Sequence, residues 1–219
     1  MVYTDLTPNF LQGALLHIID YSDVIKDIKV RSNVITNKFR PVSWEGKATL
    51  FLSQCSSFYG CHLWSLEDSR IKDLCTAWHV SCRKVLGVDP RTRTYLLSHL
   101  LKTMSIENLI LHRMSCFFLN GYNHPNDTIK DLFCNVLVSS SSCMLRNINS
   151  ILDKINMKYY DFLLTNKHEL KREFSKTDSD PDWRVNIVEE LLNIRDNQIE
   201  CDLDRNETIM FLKYISIYR

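Results

Sequence analysis

The sequence predicts a mainly α protein, a multi-helix bundle with room for one short β element near its N-terminus. Three observations predict it. Gly and Pro number only five each in 219 residues, too few for the many turns of a sandwich or barrel. Hydrophobic residues make up 45% and charged residues 24%, a balance that supports a buried core and argues against disorder. Apolar residues recur every three to four positions through most of the chain.

Taken in order, residues 1–22 are irregular, and Ala14–Tyr21 ("ALLHIIDY") reads as the short strand. From Asp23, a plausible N-cap, Val24, Ile28, Val34, Ile35 and Phe39 set a helical rhythm that Pro41 stops. Ser43 caps a second helix bearing Leu50, Phe51, Cys55, Phe58 and Tyr59. Ser65 and Asp68 have the spacing of a capping box, and the helix beyond carries Ile71, Leu74, Cys75, Trp78, Cys82, Val85 and Leu86 on one stripe. Gly87 is a natural stop for it.

Pro90 and Thr92 start the next helix, followed by one over Ser105–Asn120 and another after Pro125. Beyond the polar joint Ser139–Ser142, residues Met144–Leu164 read as one long helix. Ser175–Asp182 is the only clear linker-like stretch; Pro181 then restarts a helix through Trp183, Ile187, Leu191 and Ile194. Asp204 and Glu207 have capping-box spacing and open a last helix through Ile209, Phe211, Leu212 and Ile215. The expected organisation is residues 1–22, a helical body over 23–174, and a small helical C-terminal appendage over 175–219.

Net charge is +1 but unevenly spread. Residues 1–149 carry 16 Lys and Arg against 12 Asp and Glu, whereas residues 150–219 carry 11 against 14. The first part is thus the one suited to a polyanion. The N-terminus "MVYTDLTPNF" lacks a basic segment followed by an apolar run. The eight Cys sit mostly among apolar residues at helical spacing, which reads as reduced, buried thiols in an intracellular protein, nuclear or cytoplasmic. No apolar run approaches the roughly 20 residues of a membrane span, so no membrane partner is expected.

Several chemistries can be weighed on spacing. Cys75, His79 and Cys82 share a helix face, with Cys61 and His62 upstream. Zinc accepts these types, but structural sites pair ligands two to four residues apart, and here both thiols lie on the stripe of Leu74 and Trp78. They read as core, and no metal site is expected. Cys61 and His62 are adjacent, and adjacent side chains point apart, so they make no nucleophile–base pair. Neither Tyr3–Leu6 nor Asp20–Asp23 supplies the aromatic-x-Asp-Asp doublet of a two-metal polymerase. Phosphate-loop, serine-hydrolase and zinc-protease motifs are also missing. The basic segment "RKVLGVDPRTRTYLL" (Arg83–Leu97) remains, with Arg83, Lys84, Arg91 and Arg93 against Asp89. Such an edge suits a nucleic-acid backbone, or is a solvated helix end.

Three pieces in order then resemble the reverse transcriptases of non-LTR retrotransposons, in the region after the catalytic palm. The first is Ile28, Arg31, Asn33, Val34 and Phe39. The second is Lys47, Leu50, Phe51, Cys55, Tyr59, Gly60, Leu63 and Trp64. The third runs Ala77, Trp78, Arg83, Lys84, Val85, Leu86, Gly87, Pro90, Arg91, Thr92, Leu96 and Leu97. The resemblance covers residues 20–120; Thr94 and Tyr95 stand where the family often has His, and residues 150–219 match nothing in it.

The resemblance implies a polymerase thumb and the helices that follow it, with residues 1–22 as a remnant of the palm end. A thumb holds the backbone of an RNA/DNA primer–template duplex, which would make Arg83, Lys84, Arg91 and Arg93 phosphate contacts. Tyr59, Gly60, Leu63, Trp64, Cys75 and Trp78 would be structural core. The palm, with its Asp doublet and the Mg2+ of the full polymerase, would be a missing partner domain, so this transposable-element fragment would hold duplex without polymerising alone and need no cofactor itself. The other reading of the residues is a free-standing helical protein-interaction module.

Overall fold

The computed structural model describes residues 21–138, 142–178 and 183–200. These form ten α-helices and one 3-10 turn, with no strand among them. The mainly α bundle is therefore what the chain forms. The strand expected over 14–21 and the last helix expected from Asp204 lie outside the described residues, apart from Tyr21, which begins the first helix.

Helices α1 (Tyr21–Lys38), α2 (Trp44–Cys55) and α3 (Arg70–Leu86) make the central bundle. α1 buries Tyr21, Ile28, Ser32 and Ile35, positions separated by whole helical turns. α3 buries Leu74, Cys75, Trp78, Cys82, Val85 and Leu86, the stripe the periodicity predicts. α1 and α3 run parallel. The Arg70 guanidinium lies 4.6 Å from the Tyr21 ring centre at one end, Ser32 and Ser81 hydroxyls meet at 3.3 Å midway, and Lys84 donates to Asn33 Oδ1 at the other end. α2 returns between them. Its Phe51 ring lies 4.7 Å from Trp78, whose other neighbour is Phe58 at 5.4 Å.

The caps mostly follow the sequence. Ser43 accepts from the Gly46 N–H at 3.3 Å and Ser105 from the Asn108 N–H at 3.3 Å. Gly87 ends α3 at φ 65°, left-handed as a C-terminal glycine requires. The Ser65–Asp68 capping box does not form. Ser65 and Asp68 shape a turn, Asp68 accepts from the Arg70 N–H at 2.9 Å, and α3 starts there.

α4 (Thr94–Leu100) starts later than Pro90 predicts, because residues 89–92 close a turn through the Thr92 N–H and the Asp89 carbonyl at 2.9 Å. α5 (Ile106–Tyr122) is the second organising helix, with α6 (Asp127–Val138) packed on it. The long helix expected over 144–164 is two: α7 (Cys143–Ile155) and α8 (Tyr159–Leu164). Asn156 at φ 49° breaks it, as one of the few residue types that tolerate the left-handed region.

α9 (Lys167–Lys176) escaped the periodicity altogether. A capping box makes it. Asn166 Oδ1 accepts from the N–H groups of His168 and Glu169, each at 3.0 Å, while Glu169 accepts from the Asn166 N–H at 3.3 Å.

The stretch expected as a linker begins in α9's last turn. Residues 174–178 are anchored to α5: Asn108 donates to the Phe174 carbonyl at 3.0 Å and to Asp178 at 2.7 Å, and Asp178 accepts from the Ser105 N–H at 3.0 Å. α10 (Trp183–Glu200) lies against α4 and α2, with Val188 and Leu192 in the same core as the rest of the bundle. No helix among the described residues is long and apolar enough to cross a membrane.

Candidate nucleic-acid interface

The basic segment is a rigid corner. Gly87 turns the chain out of α3, with the Val88 N–H returning to the Arg83 carbonyl at 3.1 Å. Asp89 accepts the Arg91 N–H at 2.7 Å in a local turn. Arg83 folds over the corner and donates from Nε and Nη2 to the Thr92 carbonyl, at 2.9 and 2.8 Å. From α10, Arg195 donates to the carbonyls of Leu86 and Gly87 at 2.9 and 3.1 Å.

The four predicted phosphate contacts thus divide. The Arg83 guanidinium is half-buried and closes the corner, and Lys84 is exposed but donates to Asn33. Arg91 and Arg93 are exposed on the corner's outer edge. Arg93 is the residue before α4, whose first turn begins at Thr94.

The second cluster divides too. Trp64, Cys75 and Trp78 are buried, Gly60 is buried at φ 78°, and Leu63 is half-buried. Tyr59 is not core: it is 81% exposed. The reason lies one residue earlier. Phe58 sits at φ 36°, rare for a bulky residue, and this turns its ring inward against Trp78 and under Arg113, which donates to the Ser57 carbonyl. Tyr59 is left outside. Beyond it, Asn147 of α7 holds the turn, donating to the Trp64 carbonyl at 2.6 Å and accepting from the Leu66 N–H at 3.0 Å.

The candidate chemistry elsewhere is packing. Cys55, Cys61, Cys75 and Cys82 are buried, and the seven described cysteines are all free thiols. Burial pushes Cys61 up to about 11 and Cys75 up to about 12. His62 stacks on Phe117 at 3.8 Å rather than meeting Cys61. The nearest thing to a nucleophile–base pair is Cys116 and His112, with Sγ 3.6 Å from Nε2. Burial raises that thiol and lowers that imidazole, the opposite of what an activated thiolate–imidazolium pair needs. Among the described residues, no three His, Cys, Asp or Glu side chains converge as metal ligands.

Two basic residues that the motif reading passed over also belong to the surface. Lys26 and Lys29 line an open groove between α1 and α3. Their spacing, opposite Ile28 and Ile35, was the signal that could have found them. No family model matches the chain, and neither the curated proteins nor the solved structures contain a significant match.

Proposed function

We propose that this chain is a thumb-like helical module that holds the phosphate backbone of an RNA/DNA duplex, as the resemblance to non-LTR reverse transcriptases implies. The observation that carries the reading is the corner over residues 87–93. Arg91 and Arg93 stand exposed on a loop that Arg83 and Arg195 hold through carbonyl contacts. A loop whose backbone is pinned by hydrogen bonds presents cations at a smaller backbone-ordering cost, which suits backbone contact that positions without reading sequence. Catalysis belongs to a palm domain; this chain's share is grip.

The test is duplex binding by fluorescence anisotropy across salt. Affinity should fall as salt rises, and Arg91→Ala with Arg93→Ala should weaken it and flatten the salt slope by about two. Binding that ignores this double substitution ends the corner's part in that grip.

A second reading, a protein-interaction module, is favoured by Tyr59. It stands exposed at the rim of a groove that Phe58 and Cys55 line, with Asp23 and Asp27 nearby. This reading expects association through that face. Light scattering that shows a monomer at high concentration, together with salt-sensitive duplex binding, favours the first reading over it.

A further inference from the structure

The groove between α1 and α3 has a volume of about 470 Å³ and carries its own charge pattern. Lys26, Lys29 and Arg70 line it together with Asp73, and Asp68 pairs with Arg70 at its edge. Arg70 is set at one end by Asp68, at 2.6 Å, and by the Tyr21 ring beneath it. Lys84 stands at the other end, bonded to Asn33, which also lines the groove.

From this geometry we infer that the α1–α3 groove is a second backbone-binding track, taking the phosphates of a nucleic-acid strand that continues from the 87–93 corner. It rests on the proposed duplex reading, but its residues are different. Arg70 and Lys84 are fourteen positions apart on α3, about 21 Å along the axis. That length lets several successive phosphates of one strand lie along the groove. Lys84 lies three residues before Gly87, the cap at which the 87–93 corner begins.

An acidic protein segment is the poorer occupant. A peptide needs a deep apolar pocket for an anchor side chain, and here the apolar edges are the half-buried Ile25 and Val30, itself 51% exposed.

The test uses the whole chain and a short fluorescein-labelled RNA–DNA hybrid. Both lysines are exposed mid-helix, where Ala is favourable, so Lys26→Ala with Lys29→Ala should fold normally. The expected result is binding weakened by about tenfold with a salt slope lower by about two, restored by the Lys→Arg pair. The hybrid should also protect Lys26 and Lys29 from acetylation in a mass-spectrometric footprint. If this variant binds like the parent while the Arg91 and Arg93 variant weakens, the groove assignment is overturned and the corner stands. If only the lysine variant weakens, the corner reading falls and the groove stands. Competition by polyglutamate as strong as that by duplex of equal charge overturns the nucleic-acid assignment. No binding at low salt overturns both.

Discussion

Asp196 on α10 accepts the backbone N–H of Trp44, the first residue of α2, at 2.5 Å. Its neighbour Arg195 donates to the carbonyls of Leu86 and Gly87 at the end of α3. One adjacent pair of opposite charges therefore serves two helix ends of opposite polarity: the carboxylate meets the positive N-terminus of α2, and the guanidinium meets the negative C-terminus of α3. The two also pair with each other at 3.1 Å, both about five-sixths buried.

This lock predicts how α10 is held. Asp196→Ala should cost about 2–3 kcal/mol, because it strands the Trp44 N–H and leaves the largely buried Arg195 without its carboxylate. Asp196→Asn should cost less. A lowered urea midpoint measures both; an unchanged midpoint would mean that α10 does not rest on the bundle in solution. Gly87→Ala should cost about 1–2 kcal/mol through left-handed backbone strain. Its Cβ would also fall 2.5 Å from Arg195 Nη1. Combined with Arg195→Ala, the loss should be less than the sum, since the clash is gone and the strain remains.

Phe58 and Tyr59 are neighbours with opposite fates, and their substitutions should separate accordingly. Phe58 is 2% exposed and Tyr59 81%. Phe58→Ala should destabilise by about 3–5 kcal/mol, as for a fully buried aromatic. Tyr59→Ser should stay within about 0.5 kcal/mol. Equal losses for the two in thermal melts would place Tyr59 in the core after all.

Stability should be greatest between about pH 6.5 and 8.5, by the ordinary values of His and Cys. Burial holds the folded Cys55 and Cys61 thiols at about 11 and Cys75 at about 12, above their unfolded values. The folded state therefore keeps protons that the unfolded chain loses. This stability is complete below the unfolded thiol pKa and is lost as pH rises towards 11 and 12, at most about 1.4 kcal/mol per thiol per pH unit. His62, His79 and His112 run the other way. Burial lowers them, so the unfolded chain binds their protons first, and stability falls as pH drops below about 6.5. Urea midpoints across pH check both limbs; a flat alkaline limb would mean that the thiols are not buried as neutral groups.

Much of the fold was written locally. The buried stripe of α3, the Ser43 cap and the Gly87 stop each depend on residues within a turn or two of one another, and all were legible. So was α9's box at Asn166 and Glu169, had the polar pattern been weighed beside the apolar one. Fragments of this size carry their own preferences because caps and periodicity act over three to seven residues. The site was less legible. Arg83 and Lys84 read as free cations in the sequence, but folding gives one to the Thr92 carbonyl and the other to Asn33.

By itself, then, the sequence determined that the chain is helical, where most helices start and stop, and which face of α3 is buried. Only the tertiary structure decided that Phe58 turns in while Tyr59 stays out, and that Lys26, Lys29 and Arg70 share one groove. It also decided that Arg195 and Asp196 close the ends of α2 and α3. Each of these joins residues across long separations or depends on a turn set by distant packing. No local preference encodes such pairings; they form as α1, α2 and α3 pack their apolar faces into one shared core.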